Sequence, residues 1–189
     1  MSGGAILLAA GYGRRFGSDK RRHHITGGTT LLTASVRLYA AAFPRLIVVL
    51  RPEDRDLAET VTRETGSIEV VPCPEARHGM GHSLACGARA AADWSYAFVA
   101  LADMAWVKPA TLARLAAVLG EAGADAVVQP VHDGTPGHPV GFGSGYLQRL
   151  AVLTGDEGAR SLVRAAGERL IQVPVNDAGV LEDLDRPPD

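Results

Sequence analysis

The stretch LAAGYGRRFGSDK, from Leu8 to Lys20, decides how the rest of the chain is interpreted. It begins at the end of the apolar run Ala5–Leu8, which is typical of a buried strand. Glycines at positions 11, 13 and 17 predict a tight turn, because a residue without Cβ lets the backbone approach another group closely. Five basic residues then lie within positions 14–22. Since arginine and lysine both bind phosphate oxygens, this arrangement predicts a triphosphate site at a strand end.

This glycine turn differs from two familiar phosphate-binding loops. Its G-x-G-x-x-x-G spacing is one residue longer than the dinucleotide fingerprint, and the next apolar run ends at Leu50-Arg51 instead of at an acidic residue. A P-loop is excluded because no Gly-Lys-Ser/Thr follows the glycines. A plain turn with solvated arginines is the remaining alternative, and the density of positive charge argues against it.

Short apolar runs alternate with helical patterns along the chain. The further predicted strands are Leu46–Leu50, Ile68–Val71, Ala97–Leu101 and Ala126–Val128. Helices are predicted after Pro52, over Ser83–Ala92, from Pro109 and over Ser161–Ala166. This alternation predicts an α/β fold with a mostly parallel sheet and helices on both faces, in a single domain over residues 1–189. The Gly-, Pro- and His-rich section Val131–Gly145 predicts a loop or small hairpin that covers the site.

Two further segments carry candidate ligand-binding residues. Asp103 follows the predicted strand Ala97–Leu101, and ligands of such folds bind beyond the carboxyl ends of the strands. Its carboxylate suits Mg²⁺, although an aspartate that caps a turn is an equal alternative from this residue alone. The run HGMGHSLACG, residues 78–87, predicts close backbone approach to a flat ligand, with a helix from near Ser83. Gly79 and Gly81 argue against a helix that would align His78 and His82 as metal ligands.

Composition narrows the class of protein. A hydrophobic fraction of 47% and a charged fraction of 21% are those of an ordinary globular domain. The net charge of −2 provides no general attraction to nucleic acid or to an anionic membrane, so we expect neither as a partner. Cys73 and Cys86 have no C-x-x-C partner, which signals neither a zinc site nor a disulfide and favours a reduced, cytoplasmic protein. The apolar runs are too short for a signal peptide or a membrane span.

Taken together, these segments resemble the MobA/MocA-like molybdenum cofactor nucleotidylyltransferases. The opening stretch resembles the family pattern L-A-A/G-G-x-S-x-R-x-G-x-x-K, with Gly13 where serine is usual. The resemblance continues in order through GMGHSL, ALADMAWVKPATLARL, GHPVGFG, LTGDEGAR and DLDRPPD. It implies a three-layer, Rossmann-like nucleotidyltransferase fold of the GT-A type and a Mg²⁺-dependent reaction.

The resemblance also assigns roles to residues. Nucleotide contacts are implied for Leu8, Ala9, Ala10 and Gly11, with Arg15 and Lys20 on the phosphates. Gly79, Met80, Gly81 and Ser83 correspond to the loop that approaches the base. Asp103 corresponds to the metal-binding aspartate, and Asp185 to the second metal ligand, with Asp183 in reserve.

The implied reaction is transfer of CMP or GMP from CTP or GTP to a phosphorylated acceptor such as molybdopterin, with release of pyrophosphate. LAAG and GHPVGFG look more like the cytidylyl branch. A molybdoenzyme or its maturation chaperone would receive the product. The RRHHITGG stretch replaces a usually apolar segment, so a sugar phosphate or methylerythritol phosphate acceptor stays open. A non-catalytic nucleotide-binding protein is the alternative from another class.

Overall fold

A computed structural model describes residues 3–12, 19–25, 27–65 and 68–184. Its strands and helices alternate through the first two thirds of the chain. The strands are β1 (Gly4–Leu8), β2 (Leu46–Leu50), β3 (Ile68–Pro72), β4 (Tyr96–Leu101), β5 (Val127–His132), β6 (Thr135–Pro136), β7 (Val140–Gly143) and β8 (Leu170–Pro174). The α-helices are α1 (Leu31–Ala42), α2 (Arg55–Thr65), α3 (Met80–Ala90), α4 (Pro109–Ala122), α5 (Leu147–Leu150) and α6 (Arg160–Ala165).

The strands form one mixed sheet in the order β3-β2-β1-β4-β7-β5-β6, with β8 also paired to β5. Strands β3, β2, β1 and β4 are parallel, and β8 is parallel to β5. β7 runs antiparallel between β4 and β5. The register pairs Leu8 with Leu101, so the ends of β1 and β4 meet at one edge of the sheet.

Helices cover both faces of the sheet, because its central strands are apolar on both sides. β1 is buried at every residue. Side chains of Ala5 and Leu7 join one core cluster with residues of α1, α2 and α4. Ile6 and Leu8 point to the opposite face and join a second cluster with residues of α3, α5 and α6. The α/β fold class, with a mostly parallel sheet between two helical layers, is confirmed.

Two local predictions are wrong. Helix α3 begins at Met80 instead of near Ser83, because the turn at Gly79 (φ +123°) lets a helix start directly after it. Within 131–145, residues Val140–Gly143 are a buried strand of the sheet, and the hairpin is confined to β5 and β6. Glycine permits close packing in β7, because a Cβ on Gly141 would lie 2.5 Å from the Phe98 ring.

The expectation that the cysteines signal no disulfide is also wrong. Cys73, which follows β3, and Cys86, in α3, form a disulfide with a Cα–Cα distance of 5.8 Å. The spacing of 13 residues concealed the pair, since the two cysteines meet through the packing of α3 against the end of β3. Among the described helices none has the length and apolarity needed to cross a bilayer.

Candidate active site

A pocket of about 470 Å³ opens where β1 and β4 end. The strand ends are tied together there, since the Ala102 amide donates to the Leu8 carbonyl at 3.1 Å. The pocket is lined by most of the residues singled out from the sequence: Leu8, Ala9, Ala10, Gly11, Lys20, Gly79, Met80, Ser83 and Asp103. Residues that lie far apart in the chain therefore meet in one cavity.

Lys20 and Asp103 meet directly at the strand ends. The Lys20 ammonium donates a hydrogen bond to Oδ2 of Asp103, and their side chains are 23% and 17% exposed. Lys20 begins a single 3₁₀ turn, Lys20–Arg22, whose N-cap Asp19 accepts from the Arg21 amide at 3.2 Å. Lys20 and Asp103 thus supply a cation and a carboxylate that remain partly accessible to a ligand.

One side of the pocket is formed by Lys20 and Arg21, and we call the segment Asp19–Arg21 the charged wall. The other two basic side chains of this turn, expected to neutralise an anion, are paired with carboxylates. Arg21 is buried and binds Asp19 and Asp54, while Arg22 pairs with the exposed Asp56 at 2.5 Å and does not line the pocket. Among the described residues of this turn, Lys20 is therefore the basic residue that pairs with Asp103 in the pocket.

A second part of the pocket lining comes from the segment Pro74–Ser83, which runs from a 3₁₀ turn into α3 and which we call the glycine wall. Gly79 and Gly81 pack against the segment 154–156. A Cβ on Gly79 would lie 2.4 Å from Oδ1 of Asp156, and one on Gly81 would lie 2.4 Å from the Thr154 carbonyl oxygen. The Gly81 amide donates to the Gly155 carbonyl at 2.7 Å. Gly81 is absent from the pocket lining, so its described contacts are with this segment.

The described C-terminal segment passes next to Asp103. The Leu184 amide donates to the Asp103 carbonyl oxygen at 3.3 Å, and Asp183 is exposed. The predicted residues Arg15 and Asp185 lie outside the described residues. The roles assigned to them therefore stay predictions.

The pocket includes residues that the sequence reasoning did not assign. Tyr12 is 44% exposed at the pocket, and the Arg51 guanidinium lies 4.9 Å from its ring centroid. Asp156 and Arg77 also line the pocket. Asp156 falls in LTGDEGAR, a segment of the family resemblance, so that signal was present; an aromatic residue between two glycines carried no comparable signal for Tyr12.

His138 is the second residue of the GHPVGFG segment, which leads into β7. Burial lowers the pKa of its imidazole, and the negative charge of Asp103 partly opposes that shift. Its backbone amide donates to the Val180 carbonyl at 2.9 Å. A neutral imidazole at pH 7 follows from this environment.

The described residues suit a divalent cation bound with a ligand at the strand ends. Asp103 supplies a partly exposed carboxylate, and Mg²⁺ is usually held by one or two carboxylates together with substrate phosphates. Among the described residues, a group of three close metal-ligand side chains occurs at Cys73, Glu75 and Cys86, where the two sulfurs are joined to each other. His82 uses Nδ1 to accept from the Gly155 amide at 3.3 Å.

The fold and the pocket are those expected of a nucleotide-binding α/β domain. Residues 5–170 match the MobA-like NTP transferase domain, and the chain belongs to that family. No functionally curated protein sequence matches this chain significantly.

Several solved structures share the fold. Rv0371c from Mycobacterium tuberculosis H37Rv is 26% identical over 93% of this chain and 88% of its own, with a TM-score of 0.75. The same protein is also known as a complex with manganese. A nucleotidyl transferase from Methanothermobacter thermautotroptrophicus, Mth528, is 23% identical over 98% and 92% of the two chains, with a TM-score of 0.77. Molybdopterin-guanine dinucleotide biosynthesis protein A from Archaeoglobus fulgidus is 22% identical over 97% and 92%, with a TM-score of 0.67.

Proposed function

We propose that this chain transfers CMP, or alternatively GMP, from CTP or GTP to a phosphorylated acceptor, with molybdopterin as the first candidate. The observation that carries the proposal is the ion pair between Lys20 and Asp103, which lies inside the pocket where β1 ends. Family membership supports nucleotidyl transfer. The choice of CTP and of molybdopterin rests on the sequence resemblance.

In this proposal, Lys20 stabilises the negative charge that develops at the α-phosphate. The ammonium group is partly exposed and bound to one carboxylate oxygen, so it has two further N–H groups available for phosphate oxygens. Arg15 is the proposed partner of the leaving pyrophosphate. An acceptor phosphate oxygen attacks the α-phosphorus, the bond to the bridging oxygen breaks, and pyrophosphate leaves with those electrons. Because the nucleophile is already anionic, alignment and charge neutralisation are the main contributions of the protein.

Asp103 and Asp185 are the proposed ligands of Mg²⁺. When bound, the cation supplies charge neutralisation to phosphate oxygens that would otherwise repel each other. The bond from the Leu184 amide to Asp103 supports this choice, because it brings the described end of the chain beside Asp103. The hydrogen bond from Lys20 also fixes the orientation of that carboxylate before any ligand arrives.

The nucleotide base is proposed to lie against the glycine wall, where Gly79, Met80 and Ser83 line the pocket. Gly79 carries no side chain, so its backbone itself forms part of this lining. We place the reaction in the cytoplasm because nucleoside triphosphates are available there; the Cys73–Cys86 disulfide removes the argument from reduced cysteines. A molybdoenzyme or its maturation chaperone is the proposed recipient of the product.

The deciding experiment supplies the protein with Mg²⁺, each of the four nucleoside triphosphates in turn, and molybdopterin, and measures pyrophosphate. We expect release to require the acceptor and to be greatest with CTP. Release with a sugar phosphate or methylerythritol phosphate instead of molybdopterin would keep the reaction and replace the acceptor. Tight CTP binding without pyrophosphate release, across all three acceptors, would overturn the proposal and favour a non-catalytic nucleotide-binding protein.

A further inference from the structure

Arg21 is a buried arginine in the pocket that the reaction described above does not use. It is 4% exposed, and its five side-chain N–H groups face five acceptors. Nε and Nη2 donate to the two carboxylate oxygens of Asp19 at 2.8 and 2.7 Å. Nη1 and Nη2 donate to the two oxygens of Asp54, and Nη1 also donates to the Ala9 carbonyl at 2.8 Å.

These bonds join three separate segments of the chain, of which Ala9 lines the pocket. Ala9 continues β1, Asp54 stands immediately before α2, and Asp19 caps the 3₁₀ turn that carries Lys20. Asp54 is itself fixed by Arg51, which donates to it from the backbone at 3.1 Å and from Nε at 2.9 Å. The backbone of Lys20 is therefore anchored, through its neighbours in sequence, to the end of the strand that shapes the pocket.

We propose that Arg21 is a positioning residue, which holds the turn so that the Lys20 ammonium lies at Asp103. This inference rests on the proposed function, since the effect is expected on nucleotidyl transfer. Arg21 acts through Lys20 and not on the nucleotide itself, because each of its donors already has a protein acceptor. A displacement of about 1 Å in such a group can cost about 10²-fold in rate.

The chemistry of the guanidinium explains why arginine stands here. Two carboxylates are bound side by side, each through two parallel N–H···O bonds, and one N–H is left for the carbonyl. Lysine has three donors on one atom and cannot reproduce this geometry. Burial acts to lower the pKa of Arg21, but the hydrogen bonds and charges of Asp19 and Asp54 outweigh it and raise the pKa, so the group stays charged.

The test is a double-mutant cycle on pyrophosphate release, with Arg21→Met, Lys20→Met and the combined variant. We expect Arg21→Met to lower kcat by about 10²-fold, with little change in KM for CTP. This loss should not exceed the loss caused by Lys20→Met. In the Lys20→Met background, the same change at Arg21 is expected to alter kcat by less than about threefold. Arg21→Lys should fail to rescue the rate, because charge without the planar fork does not fix the turn.

The matched control is Arg22→Met, the next residue of the same turn. Arg22 does not line the pocket; its short contact is with the exposed Asp56 at 2.5 Å, and it lies 3.6 Å from Asp19, so kcat should stay within about twofold of the wild-type value. Wild-type kcat in Arg21→Met, or independent effects that multiply in the double variant, would overturn the inference. A loss confined to KM would also overturn it, because it would mean that Arg21 binds the nucleotide directly.

Arg21→Met leaves the buried Asp54 carboxylate without this partner, and such a loss can prevent folding. Asp19→Asn then replaces it, since Asp19 is 29% exposed and asparagine keeps the shape of the cap. We expect about a tenfold loss of kcat with Lys20 present and no further loss with Lys20→Met. A tenfold loss in both backgrounds, or in neither, would contradict the positioning role.

A crystal structure of the folded Arg21→Met or Asp19→Asn variant separates this inference from the proposed function. We expect the contact between the Lys20 ammonium and Asp103 to be lost. If the wild-type protein released no pyrophosphate with any donor and acceptor, the proposed function would fail. An intact Lys20–Asp103 contact in the variant would then overturn the positioning role, and a lost contact would support it.

Discussion

The two walls of the pocket are held in place by different forces. The charged wall, Asp19–Arg21, is fixed by ion pairs and hydrogen bonds that converge on the buried Arg21. The glycine wall, Pro74–Ser83, lies within the loop closed by the Cys73–Cys86 disulfide and packs against the backbone of 154–155 without side chains between them. The first wall should therefore respond to changes of charge, and the second to reduction and to added volume.

The largest expected effect is on the charged wall and its partner carboxylate. Lys20→Ala and Asp103→Ala should each lower pyrophosphate release by about 10²–10³-fold, since each removes a charge that acts on the phosphates. Asp93→Ala, which removes an exposed carboxylate 71% accessible at its side chain, is the control. Circular dichroism should show folded proteins throughout. Turnover at the wild-type level in either site variant would refute the assignment.

The next effect concerns the disulfide of the glycine wall. Reduction should lower the free energy of unfolding by about 3 kcal/mol, because a loop of about this length is no longer closed in the unfolded chain. Urea unfolding with and without dithiothreitol measures the change. KM for CTP should rise more than kcat falls, because the closed loop contains pocket residues such as Arg77 and Met80. The variant Cys73→Ala/Cys86→Ala should not respond to dithiothreitol; an equal response would assign the change to the reagent.

Added volume at the glycine wall should have a somewhat smaller effect. Gly81→Ala places a methyl group 2.4 Å from the Thr154 carbonyl oxygen, and it should cost about 1–3 kcal/mol of stability and weaken CTP binding. The matched control is Gly120→Ala in α4, where a Cβ would meet no atom within 4 Å. That change should stabilise the protein by up to about 1 kcal/mol. Thermal unfolding and equilibrium binding of CTP distinguish the two; equal effects would contradict the packing argument.

The smallest effect comes from His138, which belongs to neither wall. Burial lowers the pKa of its imidazole in the folded protein, against about 6.5 in the unfolded chain. Stability should therefore fall as the pH drops below about 6.5, because the unfolded chain binds a proton that the folded protein does not. The slope is at most about 1.4 kcal/mol per pH unit for one proton. In metal-free protein, His138→Gln should flatten the curve between pH 6.5 and 5; an unchanged slope would exclude this histidine as the cause.

The sheet was largely predictable, because its strands are short runs of buried apolar residues. Leu46–Leu50 agrees at both ends with the structure. Strand β7 was missed since glycine and proline usually indicate loops, whereas here Gly141 and Gly143 permit close packing on Phe98 and Ala124. Helix α3 was placed too late for a similar reason: Gly81 lowers helix propensity, but its contact with Thr154 is a tertiary interaction.

The position of the site was predictable, while the contacts within it were not. Strand ends converge by topology, so Lys20 and Asp103 could be placed in one pocket from the sequence. Arg21 illustrates the limit. Its acceptors come from Ala9, Asp19 and Asp54, and no spacing in the sequence indicates that a guanidinium meets all three. The disulfide was hidden in the same way, because Cys73 and Cys86 belong to different elements.

The covalent bond between Cys73 and Cys86 makes the intervening segment exchangeable as a unit. Both cysteines are buried, one at the end of the sheet and one inside a helix. The disulfide between them therefore holds the two ends of the segment close together when the sequence between them is changed. Protein engineers can therefore graft a different 74–78 segment onto this scaffold. Such chimaeras would change three residues that line the pocket, Ala76, Arg77 and His78, and leave the charged wall intact.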